Sequence, residues 1–176
     1  MLKTILIVVV VLIVAILIYA ATKPDSYRIQ RSANIAAPPD KVFAFINDLH
    51  SWASWSPWEK KDLAMKKAHS GASQGKGAVL EWDGNKDVGT GRMEVLESTP
   101  PSKIQIKLDF LKPFESHNTA EFTLAPNAGS TQVTWAMFGP QSYMLKVMTL
   151  FCSMDKMVGK DFEEGLSNLK ALAEKP

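Results

Sequence analysis

Cysteine and histidine are scarce in this sequence, which has one cysteine and three histidines among 176 residues. A single cysteine, Cys152, excludes an internal disulfide and is compatible with either redox compartment. The histidines, His50, His69 and His117, are too far apart to show the short ligand spacings of metal sites. We therefore predict no metal site, and no other cofactor is implied.

The sequence also has no large excess of basic over acidic residues, or of acidic over basic ones. The whole chain has 20 basic and 18 acidic residues, and 18 of each remain when Lys3 and Lys23 are set aside. Nucleic-acid binding depends on a basic surface that neutralises phosphates. The formally neutral remainder of the chain offers no such field, so we exclude nucleic acid as a partner.

The sequence does contain one long apolar run, Ile5–Ala21. As a helix rising about 1.5 Å per residue it is roughly 26 Å long, near the lower limit for crossing a bilayer core. We interpret residues 1–22 as an uncleaved single-pass membrane anchor. A cleaved signal peptide, which usually has a shorter apolar region and an A-x-A-like site, is one alternative. A buried core helix is the other.

The flanking charges leave the orientation of this anchor open, because basic residues lie on both sides of it. Only two residues precede Lys3, and such a short lead favours a cytoplasmic N-terminus. We therefore expect a polar connector, 23–26, and then one folded domain, 27–176, on the periplasmic or extracellular side. The chain is long enough for one domain with a hydrophobic core.

Apolar periodicity predicts the elements of this domain. Alternation predicts a first strand over 27–35, and a helical pattern follows Pro38-Pro39. Two short helices, about six further strands and one long helix from Met144 to about Glu174 complete the order. Strands joined by short turns are antiparallel, and their apolar face needs a cover. The prediction is an α+β fold, with a curved antiparallel sheet of about seven strands around a long C-terminal helix, preceded by one transmembrane helix.

This order and four strings resemble the START-like superfamily, also called the Bet v 1-like or SRPBCC group of polyketide cyclases/dehydrases and lipid-transport proteins. The strings are IAAPPDKVFAFINDLHSWASWSPW (Ile35–Trp58), GTGRMEV (Gly89–Val95), TQVTWAM (Thr131–Met137) and GKDFEEGLSNLKALAE (Gly159–Glu174). The resemblance covers residues 27–174 and implies a helix-grip fold with an apolar cavity between sheet and C-terminal helix. It implies a hydrophobic ligand such as a lipid, quinone, hormone or polyketide, and catalysis in a minority of members.

The inward positions of the predicted strands and terminal helix are the candidate ligand-binding residues. Methionine is flexible and polarizable, which suits a pocket for varied apolar ligands. A solid core is the alternative, because stripes of methionine and aromatic residues usually pack against each other. The apolar candidates are Leu80, Trp82, Met93, Leu108, Phe110, Phe122, Trp135, Met137, Met148 and Phe151.

Two charged residues, Arg31 and Asp155, share these inward positions on the first strand and the terminal helix. A desolvated charge must be paired, hydrated or ligand-bound. Exposure at the ends of the elements, an Arg31–Asp155 ion pair and anchoring of a ligand headgroup are the three interpretations. We include both residues among the candidate ligand-binding residues.

Three of the five tryptophans, Trp52, Trp55 and Trp58, lie three residues apart. Pro57 prevents a regular helix through the last of them, so we expect the segment to wrap a corner. Core packing at one end of the sheet is the preferred interpretation. Lining of the cavity mouth and a membrane-interface belt are the alternatives.

The sequence contains no recognisable arrangement of catalytic residues. His117 is close to Glu115, but its strand parity points it outward, and the same parity places Asp109 and Glu81 outside. We therefore predict a membrane-anchored domain that binds a hydrophobic small molecule, such as a lipid, quinone or polyketide-like compound. A cyclase or dehydratase acting on a hydrophobic substrate and a protein-interaction module with a filled core are the alternatives.

Overall fold

The computed structural model describes residues 1–175. It contains one antiparallel sheet, a C-terminal helix that covers the sheet and an N-terminal helix that lies outside it. The elements are α1 (Leu2–Ala21), β1 (Ser26–Ile35), α2 (Pro39–Asn47), a 3-10 turn (Ser51–Ser54), α3 (Trp58–Lys61), β2 (Lys66–Gly71), β3 (Ala78–Asp83), β4 (Thr90–Thr99), β5 (Lys103–Lys112), β6 (Ser116–Asn127), β7 (Ser130–Pro140), α4 (Tyr143–Thr149) and α5 (Met154–Ala173).

The seven strands form a single sheet in the order β1-β7-β6-β5-β4-β3-β2. Every neighbouring pair is antiparallel, and the register aligns the inward residues in rows: Met93 pairs with Leu108, and Phe122 with Trp135. A register shift in β4 between Val95 and Glu97 bends the sheet locally. The α+β helix-grip arrangement predicted from the sequence is confirmed.

The C-terminal helix is broken, whereas the periodicity predicted one helix from Met144 onward. The hydroxyl of Ser142 caps α4 by accepting from the Leu145 amide, and the hydroxyl of Ser153 caps α5 by accepting from the Lys156 amide. Serine at an N-cap satisfies amides that lack a partner in the first helical turn, so each serine starts a new helix. The apolar stripe continues across the break, which is why periodicity alone did not find it.

Arg31 holds α5 against β1. Its guanidinium donates to both carboxylate oxygens of Asp155, at 2.9 and 3.0 Å, and to Glu163 Oε1 at 2.6 Å. The hydrogen bond from Arg31 lowers the pKa of Asp155, and the bonds to Asp155 and Glu163 raise the pKa of Arg31. Gly159 makes room for this cluster, because any Cβ there would overlap the guanidinium. The structure shows the ion pair, and it also shows the exposure at the element ends, because the side chain of Asp155 is 61% exposed.

We expect Arg31→Met to lower the free energy of unfolding more than Arg28→Met does, because Arg31 has two carboxylate partners. Arg28→Met is the matched control on the same strand, since Arg28 is half-exposed and makes one 3.3 Å contact with Glu121. Chemical denaturation at low and high salt measures both changes. A loss for Arg31→Met no greater than the loss for Arg28→Met would contradict a role for the cluster in holding α5.

The helix α1 projects from this domain, with every side chain exposed or half-buried except the buried Ala20. Its length and apolar composition pass the test for a membrane span, a test that an N-terminal signal sequence also passes. The last turns of α1 pack on α4, where the Tyr143 hydroxyl donates to the Leu17 carbonyl at 2.8 Å. Lys146 of α4 binds Asp25 in the connector at 2.6 Å. One end of α1 is therefore part of the folded domain.

The tryptophan segment mainly supplies core. Trp52 and Trp55 are buried, and their indole N–H groups donate to the carbonyls of Ile46 and Phe45 at 2.9 and 3.2 Å. Both rings pack beside Trp135, at centroid distances of 6.2 and 5.6 Å. Core packing, the preferred interpretation of this segment, therefore describes its first two tryptophans, which hold α2 and the 3-10 turn on the sheet.

Candidate functional site

A cavity of about 230 Å³ lies between the concave face of the sheet and α5. An apolar cavity of roughly 150 Å³ is enough to hold benzene, so this space is large enough for a small organic molecule. The wall is formed by Trp52, Ser56, Trp58, Glu59, Met65, Leu80, Trp82, Asp87, Val88, Met93, Ile106, Leu108, Phe110, Ala120, Trp135, Met137, Val158, Asp161 and Phe162.

Inward positions on the strands supply most of the apolar wall. Strand alternation puts every second side chain on the concave face, and that alternation identified these positions in the sequence. Seven of the twelve candidate ligand-binding residues line the cavity: Leu80, Trp82, Met93, Leu108, Phe110, Trp135 and Met137.

The other five candidates lie elsewhere in residues 1–175. Phe122 is fully buried in the aromatic core, stacked on the ring of Trp135 at 4.8 Å. Arg31 and Asp155 bind each other and do not line the cavity. Met148 and Phe151 are exposed, at 44% and 71%, because the helix break places them beyond the part of α5 that covers the sheet.

Several wall residues were not identified from the sequence. Val158 and Phe162 belong to the apolar stripe of the terminal helix, so helical periodicity could have found them. Ile106 and Ala120 are inward strand residues that alternation could also have found. Strand alternation carried no information about five others, because α3 and the loops before α3, β2 and β4 supply them: Ser56, Glu59, Met65, Asp87 and Val88. Trp58 also lines the wall, which agrees with the alternative that the tryptophan segment contributes to the cavity.

The charged groups on the wall are paired with lysines. There are three such pairs. The first connects α3 to α5, the second connects α3 to β2, and the third lies in the loop before β4. They are Lys61–Asp161 at 2.6 Å, Lys67–Glu59 at 2.7 Å and Lys86–Asp87 at 2.7 Å. The cavity therefore presents a mainly apolar surface whose carboxylates already have partners.

One wall residue carries a donor that has no partner. Within residues 1–175, Trp135 Nε1 is the single buried side-chain nitrogen or oxygen atom that makes no hydrogen bond. Leaving such a group unpaired costs about 1–3 kcal/mol, and buried donors are nearly always bonded. The buried Asn118, by comparison, accepts a 2.7 Å bond from Tyr27, whose pKa burial raises to about 12. The N–H itself is buried beneath the wall, so an acceptor oxygen on a bound molecule would satisfy it only after neighbouring side chains shift.

A second polar cluster lies on the convex face, away from the cavity. His117 Nδ1 is 2.8 Å from Asp109 Oδ1, and Lys107 reaches the other carboxylate oxygen at 2.8 Å. Burial would raise the pKa of Asp109, but the hydrogen bonds from Lys107 and His117 together outweigh it and lower the pKa. The outward parity assigned to His117 and Asp109 agrees with this position, although Asp109 is buried among its neighbours.

Metal-ligating side chains are not clustered in the described part of the chain. Within residues 1–175, no group of three or more histidine, cysteine, aspartate or glutamate side chains has the geometry to hold a metal ion.

Solved structures with the same fold show how widely it is used. A protein from Chromobacterium violaceum is 18% identical over 88% of this chain and 100% of its own, with a TM-score of 0.60. The di-domain ARO/CYC BexL from the BE-7585A biosynthetic pathway is 18% identical over 90% of this chain and 54% of its own, with a TM-score of 0.63. The major latex-like protein 151 of Panax ginseng is 10% identical over 86% of this chain and 100% of its own, with a TM-score of 0.62.

The sequence itself matches a family model. The model described as polyketide cyclase / dehydrase and lipid transport matches residues 26–174, which confirms the resemblance seen in the four strings. No curated protein matches the chain. The match begins at the first residue of β1, so α1 lies outside the part that the family shares.

Proposed function

Because the chain belongs to the polyketide cyclase / dehydrase and lipid transport family, we propose that it binds a hydrophobic small molecule between the sheet and α5 while α1 anchors it to a membrane. The observation that carries the proposal is a cavity with an apolar wall, paired carboxylates and one unpaired donor at Trp135. The ligand class that fits is an apolar compound with at least one acceptor oxygen, such as a quinone, a lipid or a polyketide-like molecule.

Binding without catalysis is preferred over a cyclase or dehydratase. An acid or base for those reactions must be free to exchange a proton with the substrate. The wall carboxylates of Glu59 and Asp161 are each held by a lysine, and His117 lies on the convex face. An interaction module with a filled core is disfavoured by the volume of the cavity.

The anchor rests on α1 and on its contacts with the domain. The bond from Tyr143 to Leu17 and the buried Ala20 make the end of α1 part of the fold, which favours retention over cleavage as a signal peptide. An anchor with its N-terminus in the cytoplasm would place the domain on the periplasmic or extracellular side.

A matched pair of bicyclic probes tests the cavity and its donor. Menadione carries two carbonyl oxygens, and 2-methylnaphthalene has the same ring skeleton without them. In full-length protein we expect both to bind, and Trp135→Phe to weaken menadione about tenfold, the cost of one hydrogen bond of about 1.4 kcal/mol, while leaving 2-methylnaphthalene nearly unchanged. Native mass spectrometry of the detergent-extracted protein measures both affinities and detects co-purified molecules.

The outcomes separate the two parts of the proposal. Failure of the wild-type protein to bind either probe or any co-purified hydrophobic compound would overturn ligand binding. Equal weakening of both probes by Trp135→Phe would retain the cavity but remove the role of the indole N–H.

A further inference from the structure

The two ends of the sheet differ in their exposed side chains. The near end, where α1 joins the domain, holds the start of β1, the end of β7, the loops 62–65, 84–89 and 113–115, and the segment 141–153, which contains α4. Among residues 22–175, every exposed large apolar side chain except Leu96 lies at or beside this end. The turns of the far end, 72–77, 100–102 and 128–129, contain none.

Five of these side chains form what we call the apolar rim. Leu63 is 93% exposed, Phe114 70%, Met144 69%, Phe151 71% and Met148 44%. They come from three separate loops and helices, so the rim is a feature of the tertiary structure. Exposed apolar side chains concentrated at one end of a folded domain mark a site of contact with a membrane or another protein.

The cavity reaches the same end of the sheet. Met65, Asp87 and Val88, from two near-end loops, line its wall, as does Phe110 near the end of β5. Leu63 of the rim lies two residues before Met65. The rim and the loop-built part of the cavity wall therefore lie at the same end of the sheet, and Leu63 joins them along the chain.

The position of α1 identifies what the rim meets. Only residues 22–25 separate α1 from β1, a length of at most about 14 Å, which keeps the near end close to the end of α1. Tyr143 bonds to Leu17, four residues or about 6 Å before the end of the helix. If α1 spans a bilayer, this depth places α4 in the interfacial layer, where tyrosine is favoured.

We infer that the apolar rim inserts into the bilayer interface and that the cavity consequently exchanges its ligand with the membrane rather than with water. This inference rests on the anchoring part of the proposed function. The segment 147–154, VMTLFCSM, contains no charge, and the neighbouring Lys146 is buried against Asp25. Exposed charges of both signs flank the rim, among them Lys112, Lys156 and Glu115, as expected at the level of zwitterionic headgroups.

The single cysteine provides a probe at the rim. Cys152 is exposed and directly follows Phe151, so a nitrobenzoxadiazole label there reports the environment of the rim. The full-length protein is reconstituted at one copy per phosphatidylcholine nanodisc, with nitroxide-labelled lipid as quencher. We expect blue-shifted emission and strong quenching at Cys152. Ser73→Cys in a Cys152→Ser background is the control at the far end, where we expect several-fold weaker quenching.

A second variant separates insertion from mere proximity. Met148→Asp with Phe151→Asp replaces exposed side chains, so the fold is retained, but charges at the interface disfavour insertion. We expect this variant to reduce quenching at Cys152 to the level of Ser73→Cys. If the label at Cys152 of the protein with an unchanged rim is only weakly quenched in single-copy discs, the inference is overturned. If its emission shifts to the blue only when a disc holds two copies, the rim is a surface for self-association.

These outcomes are distinct from failure of the proposed function. A chain that does not enter nanodiscs would contradict the anchor itself. A chain that enters them and binds menadione, but leaves Cys152 in water, would contradict the rim alone.

Discussion

Replacing Trp55 by alanine is expected to lower the free energy of unfolding by about 3–5 kcal/mol, the range for truncating a large buried aromatic residue. Trp55 is 1% exposed, and its ring lies 4.8 Å from that of Trp52 and 5.6 Å from that of Trp135. Its indole N–H also donates to the Phe45 carbonyl, which joins the end of the 3-10 turn to α2. The loss therefore combines a cavity in the core with an unpaired carbonyl.

Trp58→Ala is the control from the same segment. Trp58 is half-buried and lies on the cavity wall, so its truncation enlarges a space that already exists and removes less buried contact. Equilibrium denaturation in urea, followed by circular dichroism in one detergent, compares the two variants. Equal losses would contradict the distinction between the core and wall tryptophans.

Replacing Ala120 by phenylalanine is expected to weaken binding of menadione by about 10- to 100-fold, equivalent to an overpacking cost of 1–3 kcal/mol when the ligand competes with the added ring. Ala120 lies on β6 and contributes a small side chain to the cavity wall. A phenyl group there enters the cavity without displacing a core residue. The free energy of unfolding of the ligand-free protein should therefore change little.

Ala125→Phe places the same side chain on the same strand at an exposed position of the opposite face. We expect it to leave menadione binding unchanged, as measured by the native mass spectrometry described above. If Ala120→Phe binds menadione as tightly as the wild-type protein, the ligand does not occupy this cavity. A large loss of stability in Ala120→Phe would show instead that the cavity is closed in solution.

The local periodicity of apolar residues was sufficient to predict most of the fold. Alternation in β5 identified Leu108 and Phe110 as inward residues, and the apolar run at the N-terminus predicted α1. These inferences held because strand and helix geometry repeats every few residues, so one stretch of sequence contains the whole signal. The break between α4 and α5 was missed because one capping serine, not the apolar pattern, ends the repeat.

The sequence by itself determined which side of each strand is apolar, but only the tertiary structure decided whether that side is packed or hollow. At Gly165 the helix approaches so closely that a Cβ would lie 2.7 Å from the ring of Trp135, and the interior there is solid. Nearer Val158 the facing side chains leave the cavity open. The distance between α5 and the sheet depends on contacts among residues more than a hundred positions apart, such as Arg31 with Asp155, and no local pattern contains that distance. The same holds for the apolar rim, whose members come from separate loops that only the folded chain brings to one end.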